Sequence, residues 1–159
     1  MPLEIERKFL VIKEKMTIGV RGEYLCQGYL TDDPARTVRI RIAGEHAFLT
    51  IKGPGSGISR SEFEYPIPVS EGREMLKMAI FPPVEKTRYK IQHEGLLWEL
   101  DIFHGNNEGL LLAEVELQSE DQKITLPPWA GREVSGDPRY FNSYLAKFPF
   151  DTWPENKLV

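Results

Sequence analysis

Residues 3–11 read LEIERKFLV, and in this stretch Glu4, Glu6 and Lys8 stand two positions apart. Alternate side chains of a β-strand project from the same face, so this spacing puts three charges on one side of a strand. Ile5 and Phe9 belong to the other side and are apolar. The stretch therefore predicts a strand with one charged face and one largely apolar face.

The same two-residue spacing of charges recurs in five later segments. They are Arg39/Arg41, Glu62/Glu64, Lys86/Arg88, Glu99/Asp101 and Glu114/Glu116. Each pair carries a single sign, and like charges side by side on a strand repel unless each meets an opposite charge. For any one pair a solvated strand face is the simpler explanation, because antiparallel sheets often turn one face to water. For all six segments together that explanation weakens, because solvated faces usually mix Thr, Ser and Gln with both signs of charge.

Alternation and short turns predict eight strands, mostly antiparallel, and two helices, so the fold class is mainly β (α+β). The predicted strands cover residues 3–12, 24–30, 36–43, 46–52, 59–68, 84–93, 96–103 and 110–119. One helix is predicted over residues 70–80. A C-terminal helix is predicted over residues 137–147, with Asp137 as its cap and Pro138 at its first position. Residues 52–57 are predicted to be a glycine-rich loop without the ending of a P-loop, and residues 127–132 to be irregular.

Size and composition narrow the class of protein. The 159 residues predict one domain that covers residues 1–159. A net charge of −4 gives no sign of nucleic-acid binding. Cys26 is the only cysteine, which excludes an internal disulfide and fits a reducing, cytoplasmic location. No apolar run reaches the roughly 18 residues needed to cross a bilayer, so no membrane association is expected.

Eight antiparallel strands can close into a barrel, and the charged faces would then line its interior. The carboxylates of that interior are Glu4, Glu6, Glu62, Glu64, Asp101, Glu114 and Glu116, and its cations are Lys8, Arg39, Arg41, Lys52, Lys86 and Arg88. Unpaired buried ions are strongly unfavourable, so such an interior must be wet and must bind ions. Paired carboxylates suit Mg²⁺ or Mn²⁺, and clustered Arg and Lys suit phosphate oxygens. Together the two sets predict a polyphosphate bridged to divalent metal.

The charged segments resemble the CYTH family, the triphosphate tunnel metalloenzymes, and most of all its short bacterial single-domain members. The resemblance begins with Glu4-Ile5-Glu6-Arg7-Lys8, which matches the ExExK signature of the family. It continues through QGYL at 27–30, TVRIR at 37–41, LTIKG at 49–53, RSEFE at 60–64, EKTRY at 85–89, WELD at 98–101 and AEVEL at 113–117. The resemblance implies an eight-stranded antiparallel barrel that forms a tunnel. It also implies hydrolysis or rearrangement of triphosphate-containing substrates with divalent metal.

The resemblance further implies roles for the charged residues. Two metal ions, Mg²⁺ or Mn²⁺, would be faced by Glu4, Glu6, Glu62, Glu64, Glu114 and Glu116. Phosphate would be bound by Lys8, Arg39, Arg41, Lys52, Lys86 and Arg88. One ion is expected at Glu6, Glu114 and Glu116. The other is expected near Glu4 and Glu62 or Glu64, where it would lower the pKa of the attacking water. Asp101 and Glu99 would hold the basic side chains in place or assist at a metal, and Arg60 would lie at the rim.

Glu4, Lys8 and Tyr29 are the candidate catalytic residues. Glu4 would orient the attacking water, and Lys8 would stabilise charge on the phosphates together with the other cations. Tyr29 shares strand parity with Gln27, and similar proteins place a tyrosine there, so it is the candidate for proton transfer or leaving-group contact. A tyrosine that only packs in the core is an equally strong alternative.

Three functions compete. The first is hydrolysis of inorganic triphosphate to pyrophosphate and phosphate. It is favoured because the motifs suit the binding of phosphate and metal, and none of them suits the binding of a base or a thiazole. The second is a nucleoside or thiamine triphosphatase, or a class IV-type adenylate cyclase. The third is a non-catalytic polyphosphate-binding module, which would not require six carboxylates. The expected partner is a small-molecule triphosphate. A homodimer is a further expectation, because the outer barrel face is apolar.

Overall fold

The computed structural model describes residues 2–154, and within them it contains nine strands and two α-helices. The strands are β1 (Leu3–Val11), β2 (Glu23–Tyr29), β3 (Thr37–Ala43), β4 (His46–Ser56), β5 (Ser59–Ile67), β6 (Val84–His93), β7 (Leu96–Phe103), β8 (Leu111–Glu116) and β9 (Ala130–Glu133). The helices are α1 (Val69–Leu76) and α2 (Asn142–Lys147). None of the helices in residues 2–154 combines the length and apolarity needed to span a membrane.

Eight strands close into an antiparallel barrel, as the sequence predicted. Their order is β5-β4-β3-β2-β6-β7-β8-β1, and β1 closes the ring by pairing with β5 from Leu3↔Ser61 to Ile5↔Ser59. The opposite edge of β1 pairs with β8. β5 diverges from β1 after these first residues, and β9 pairs with the freed end of β1 at Phe9 and Val11. β9 lies in the region expected to be irregular, and it is an addition to the predicted barrel.

The prediction of a loop over residues 52–57 was wrong in part. β4 continues to Ser56 and stays paired with β5 at Gly55↔Arg60 and Ser56↔Ser59. The register shifts between Lys52 and Gly55, which is a β-bulge, and this bulge lets the strand pass through the Gly-Pro-Gly sequence. Only Gly57, with a φ of +63°, belongs to the turn itself.

The C-terminal helix predicted over residues 137–147 is interrupted. Pro138–Tyr140 form a 3₁₀ turn, and Asp137 caps it by accepting a hydrogen bond from the Arg139 backbone N–H. Phe141 is extended, with a ψ of 137°, and α2 begins after it. The predicted cap is therefore confirmed, but one continuous helix is replaced by a turn, a bend and a short helix.

Much of the outer face of the barrel is covered by the chain itself. The outward-facing Phe9, Trp98 and Val115 are buried against Trp129, whose ring meets that of Trp98 edge-on at 5.7 Å. On the other side, α1 packs against β2, β3 and β4. A side chain in place of Gly28 would collide with Leu76 and Ala79, so the absence of a Cβ is what allows this close approach.

A second core cluster lies at one end of the barrel interior. Tyr29, Val84, Phe103 and Leu112 stand at the inward-facing positions of four strands and are buried. Residues 138–153, which we call the C-terminal segment, pack onto them with Tyr140, Leu145, Ala146 and Trp153, all of which are buried. The C-terminal segment therefore covers this end of the barrel.

Candidate active site

The barrel encloses a cavity of about 650 Å³ whose walls are charged. Every strand of the closed barrel contributes at least one lining residue. Among them are Glu4, Glu6, Lys8, Tyr29, Arg39, Arg41, Lys52, Arg60, Glu62, Glu64, Lys86, Arg88, Glu99, Glu114 and Glu116. Asp101 lies directly behind the lining and is fully buried. The structure thus brings the sequence-predicted site residues together around one cavity, and the solvated-face alternative does not describe them.

Strand order sorts these charges by sign. β5, β1 and β8 are neighbours, and they supply what we call the acidic wall: Glu4, Glu6, Glu62, Glu64, Glu114 and Glu116. β4, β3 and β6, with β2 between the last two, supply the basic wall: Arg39, Arg41, Lys52, Lys86 and Arg88. The two walls occupy opposite arcs of a closed ring. The sorting has exceptions: the cations Lys8, on β1, and Arg60, on β5, lie within the acidic arc, and the carboxylate Glu23, on β2, lies within the basic arc.

The carboxylates of the acidic wall contact one another. Glu6 is hydrogen-bonded to Glu114, and Glu4 to Glu62. Burial raises the pKa of Glu6 well above its usual range, and the nearby Glu114 and Glu4 raise it further. Burial, together with the charge of Glu4, raises the pKa of Glu62 to about 7. In each pair one carboxyl group therefore keeps its proton to a higher pH than an ordinary glutamate does.

The other member of each pair stays ionised. Burial alone would raise the pKa of Glu114, but Lys8, Arg88 and Lys86 hold it well below its usual value. Burial opposes the charge of Glu4 in the same way, and Lys52 outweighs it and lowers the pKa. The acidic wall thus holds more carboxyl groups than its nearby cations can keep charged.

Most cations of the basic wall are already paired. Arg88 binds Asp101 through two parallel hydrogen bonds of 2.8 and 2.9 Å, and Lys86 Nζ lies 2.8 Å from the same carboxylate. Lys52 lies 3.0 Å from Glu4. Burial lowers the pKa of Lys86 to about 7, although Asp101 opposes that shift. Asp101 therefore supports two basic side chains from behind, which is the position predicted for it.

Arg41 differs from its neighbours on the basic wall. Within residues 2–154, no carboxylate lies within ion-pair distance of its guanidinium, and its Nε donates to Gln27 Oε1 at 2.9 Å. Burial lowers its pKa to about 10, and the positive charges of Arg39 and Arg88 add to the shift. Arg39 is 3.9 Å from Glu64, and its buried Nε has no hydrogen-bond partner in the described part of the chain. These two guanidinium groups are the most available sites for an anion.

Tyr29 and Arg60 lie where the sequence predicted. Tyr29 is 3% exposed and borders the cavity, and its hydroxyl accepts a hydrogen bond from Gln27 Nε2 at 3.1 Å. Arg60 donates to the backbone oxygens of Gly53 and Pro34, so it joins the bulge of β4 to the loop that precedes β3. Their functional roles stay predictions.

Several polar residues at the site were not among the predicted set, and three of them join predicted side chains to one another or to the C-terminal segment. Gln27 is fully buried and joins Arg41 to Tyr29, and Thr50 bridges Arg39 and Glu64. Strand parity could have identified both, since each stands two positions from a predicted site residue. Asn142 accepts a hydrogen bond from Lys86. It comes from the C-terminal segment, where no spacing pattern points to the cavity.

The acidic wall fits a divalent cation by its chemistry, although its side chains do not form a finished site. Across residues 2–154, no three Asp, Glu, His or Cys side chains are arranged as they would be around a metal ion. Glu6 is instead hydrogen-bonded to Glu114, and Glu4 to Glu62. Carboxylate oxygens are the ligands that Mg²⁺ and Mn²⁺ prefer, and a bound cation can replace a shared proton.

The fold and the site define a class: a closed barrel with a wall for cations and a wall for anions. The CYTH domain family model matches residues 2–141, and the chain belongs to this family. It is 47% identical over 156 residues to an inorganic triphosphatase of Acetivibrio thermocellus, covering 98% of this chain and 100% of that protein. It is 41% identical over 152 residues to an inorganic triphosphatase of Nitrosomonas europaea, covering 90% and 96% of the two chains. The crystal structure of the inorganic triphosphatase NE1496 superimposes with a TM-score of 0.65 at 40% identity, covering 89% of this chain and 96% of that one.

Proposed function

We propose that this protein is a metal-dependent hydrolase that cleaves inorganic triphosphate to pyrophosphate and phosphate. The observation that carries the proposal is the opposition of the acidic and basic walls across one cavity. A triphosphate is a chain of anionic groups that needs cations along its length. The relatives described as inorganic triphosphatases support the same substrate, since they match nearly the whole chain.

The basic wall would bind the phosphate chain. Arg41 has no competing carboxylate among the described residues, and its fork of N–H donors can hold two phosphate oxygens at once. Arg39 lies beside it with a buried, unpartnered Nε. Asp101 fixes the positions of Lys86 and Arg88 at the cavity, and its charge opposes the loss of the Lys86 proton. Transfer of a phosphoryl group depends mainly on such positioning and charge stabilisation.

The acidic wall would hold the metal, as Mg²⁺ or Mn²⁺ and in two sites. Glu6, Glu114 and Glu116 would hold one ion, and Glu4 with Glu62 or Glu64 the other. When bound, such ions neutralise phosphate charge and lower the pKa of water for in-line attack. The hydrogen bond to Glu62 and the charge of Lys52 keep Glu4 ionised, so its carboxylate can accept a hydrogen bond from the attacking water and orient it.

Lys8 and Tyr29 complete the proposed catalytic group. Lys8 Nζ lies 2.9 Å from the Tyr140 carbonyl oxygen and 3.5 Å from Glu114, on the acidic side of the cavity. It would stabilise charge on the phosphate nearest the metal. Tyr29 would contact the leaving group, because its hydroxyl lies at the cavity edge beside Gln27.

A phosphate-release assay tests the proposal. Inorganic triphosphate, ATP, thiamine triphosphate and pyrophosphate are each supplied with Mg²⁺, with Mn²⁺ or with chelator. We expect fast, metal-dependent release from inorganic triphosphate. If ATP or thiamine triphosphate is turned over far faster than inorganic triphosphate, the preferred substrate is an esterified triphosphate and the proposal is wrong. Tight triphosphate binding without release under any metal would instead make the protein a polyphosphate-binding module.

We also propose a cytoplasmic location and a homodimer. The location is supported by Cys26, which is a free thiol. The homodimer is supported by Ile51 and Tyr65, large apolar side chains on β4 and β5 that are 38% and 52% exposed. Light scattering of the purified protein, with and without an Ile51→Lys substitution, measures whether this face joins two copies.

A further inference from the structure

We propose that Asn142 is a positioning residue of this site, which fixes the ammonium group of Lys86 against the phosphate chain. The proposal rests on the proposed function, because it assigns Lys86 to triphosphate. Asn142 is supplied by the C-terminal segment, outside the barrel strands that carry the charged motifs.

The contacts of Lys86 leave one N–H for a ligand. Its Nζ donates to Asn142 Oδ1 at 2.9 Å and is 2.8 Å from Asp101 Oδ2. A lysine ammonium has three N–H donors, so one remains. Lys86 is 1% exposed, and it lines the same cavity as Asn142. The two fixed contacts therefore define the direction in which the third N–H points.

Through Gln27, Asn142 also reaches Arg41, the cation of the basic wall for which the described residues provide no acid partner. Its Oδ1 accepts a second hydrogen bond, from Gln27 Nε2 at 3.2 Å, while Gln27 Oε1 accepts from Arg41 Nε at 2.9 Å. One amide oxygen thus holds Lys86 directly and Arg41 through Gln27. These are cations from two different strands of the basic wall.

The chemistry of an amide suits this task. An amide oxygen is a neutral acceptor, so it orients an ammonium group without cancelling its charge or repelling an anionic substrate. Asp101 already neutralises part of the charge from behind. Buried Leu145 and Ala146 hold the helix that begins at Asn142, and the extended Phe141 turns the chain toward the cavity.

The test compares steady-state kinetics on inorganic triphosphate for wild type, Asn142→Ala, Lys86→Ala and the double variant. A hydrogen bond to a charged group contributes about 1.5–3 kcal/mol, so Asn142→Ala should lower kcat/KM about 10- to 100-fold. If Asn142 acts through Lys86, the double variant should be little worse than Lys86→Ala alone. Multiplied losses in the double variant would overturn the proposal, and so would full kcat/KM in Asn142→Ala.

Asn107→Ala is the matched control. Asn107 is also a buried asparagine, and its Oδ1 accepts a 2.8 Å hydrogen bond from the Phe150 backbone N–H, so it anchors the same segment away from the cavity. We expect this variant to lose thermal stability but to keep kcat/KM within about twofold, because its hydrogen bond is remote from Lys86. Equal kinetic losses in Asn107→Ala and Asn142→Ala would show that Asn142 only helps to pack the C-terminal segment and does not position Lys86.

Two further measurements keep the test decisive. If Asn142→Ala does not fold, Asn142→Ser replaces it, and the same comparison with Lys86→Ala applies. Calorimetric titration with inorganic triphosphate measures binding without turnover. If the wild type binds triphosphate without cleaving it, the proposed function fails. The proposal on Asn142 then stands or falls by whether Asn142→Ala weakens that binding by the same factor.

Discussion

The acidic wall and the basic wall border the same cavity, but their charges are satisfied in different ways. On the basic wall, Arg88 and Lys86 share the buried carboxylate of Asp101 at 2.8 Å. On the acidic wall, burial and then the neighbouring carboxylates raise the pKa of Glu6 well above its usual range and that of Glu62 to about 7. Most charges of the basic wall are therefore neutralised by carboxylates of the protein itself. On the acidic wall the carboxyl groups repel one another when ionised, and an added cation would relieve that repulsion.

This difference separates two kinds of contribution to the molecule. A paired cation on the basic wall stabilises the fold as well as facing the ligand, and its removal leaves a buried carboxylate alone. Glu6 and Glu62 on the acidic wall contribute less to the fold when ionised, because burial and neighbouring carboxylates disfavour their negative charge. Substitutions of paired cations on the basic wall should therefore lower stability as well as activity. Substitutions of carboxylates on the acidic wall should lower activity more than stability.

The largest expected effect is on the acidic wall. Glu114→Gln keeps the shape of the side chain but removes a charge proposed to hold metal. We expect a loss of triphosphatase activity of about 100-fold or more, since a metal ion supplies several kcal/mol of transition-state stabilisation. The fold should stay intact. Phosphate release and circular dichroism measure the two, and retained full activity would refute the metal assignment.

The next effect compares two arginines of the basic wall. Arg88→Met breaks the buried pair with Asp101 and should lower the free energy of unfolding by about 3–5 kcal/mol. Arg41→Met breaks no ion pair among the described residues, so stability should change by less than about 1 kcal/mol. Its KM for triphosphate should still rise about 10- to 100-fold. Urea unfolding with parallel kinetics measures both, and equal stability losses would contradict the distinction.

A smaller effect concerns pH. The pKa of Glu62 is about 7 in the folded protein, above its ordinary value of 4.5, so the folded state binds the extra proton between these values. The contribution of Glu62 to stability must then fall as pH rises from about 5 to about 8. Without metal, Glu62→Gln should flatten this loss by about 1–2 kcal/mol, or roughly 3–6 °C in Tm. Thermal unfolding in chelator at both pH values measures it, and an unchanged slope would contradict the shift.

The smallest effect comes from the outer side of the same strand. Arg7 stands between Glu6 and Lys8 but faces outward, where it forms two hydrogen bonds with the half-exposed Glu133. Such exposed pairs contribute about 1 kcal/mol or less, so Arg7→Ala should cost little stability and leave activity unchanged. Lys8→Ala is its matched partner inside the cavity, and it should lose activity. An activity loss in Arg7→Ala would contradict the assignment of activity to the inward face of β1 alone.

The sequence predicted the strands well, because their period of two is a local property. β6 and β7 have the predicted bounds, since Glu94 and Gly95 both take positive φ values and so form a tight hairpin turn. β9 could not be predicted in this way. Its four residues carry no alternation, and they pair with β1 only because β5 leaves that edge free.

The site likewise has features that local sequence spacing predicts and features that depend on the fold. The inward face of each strand followed from charge spacing, and the structure places those charges around one cavity. The separation into two walls depends on strand order, which puts β1 beside β8 and β5 although they are distant in the sequence. The contact of Asn142 with Lys86 depends on the C-terminal segment returning to the barrel end, and no local pattern encodes that return.

Because β1 pairs with β5, β8 and β9, this barrel should fold slowly. Its first strand pairs with residues about a hundred positions later in the sequence, as in the pairing of Phe9 with Ala113. Contacts of such high sequence separation slow folding, because the chain loses entropy before they form. The ring of charges stays open to water until that last pairing. Divalent cations present during refolding should then favour the closed state over the open one.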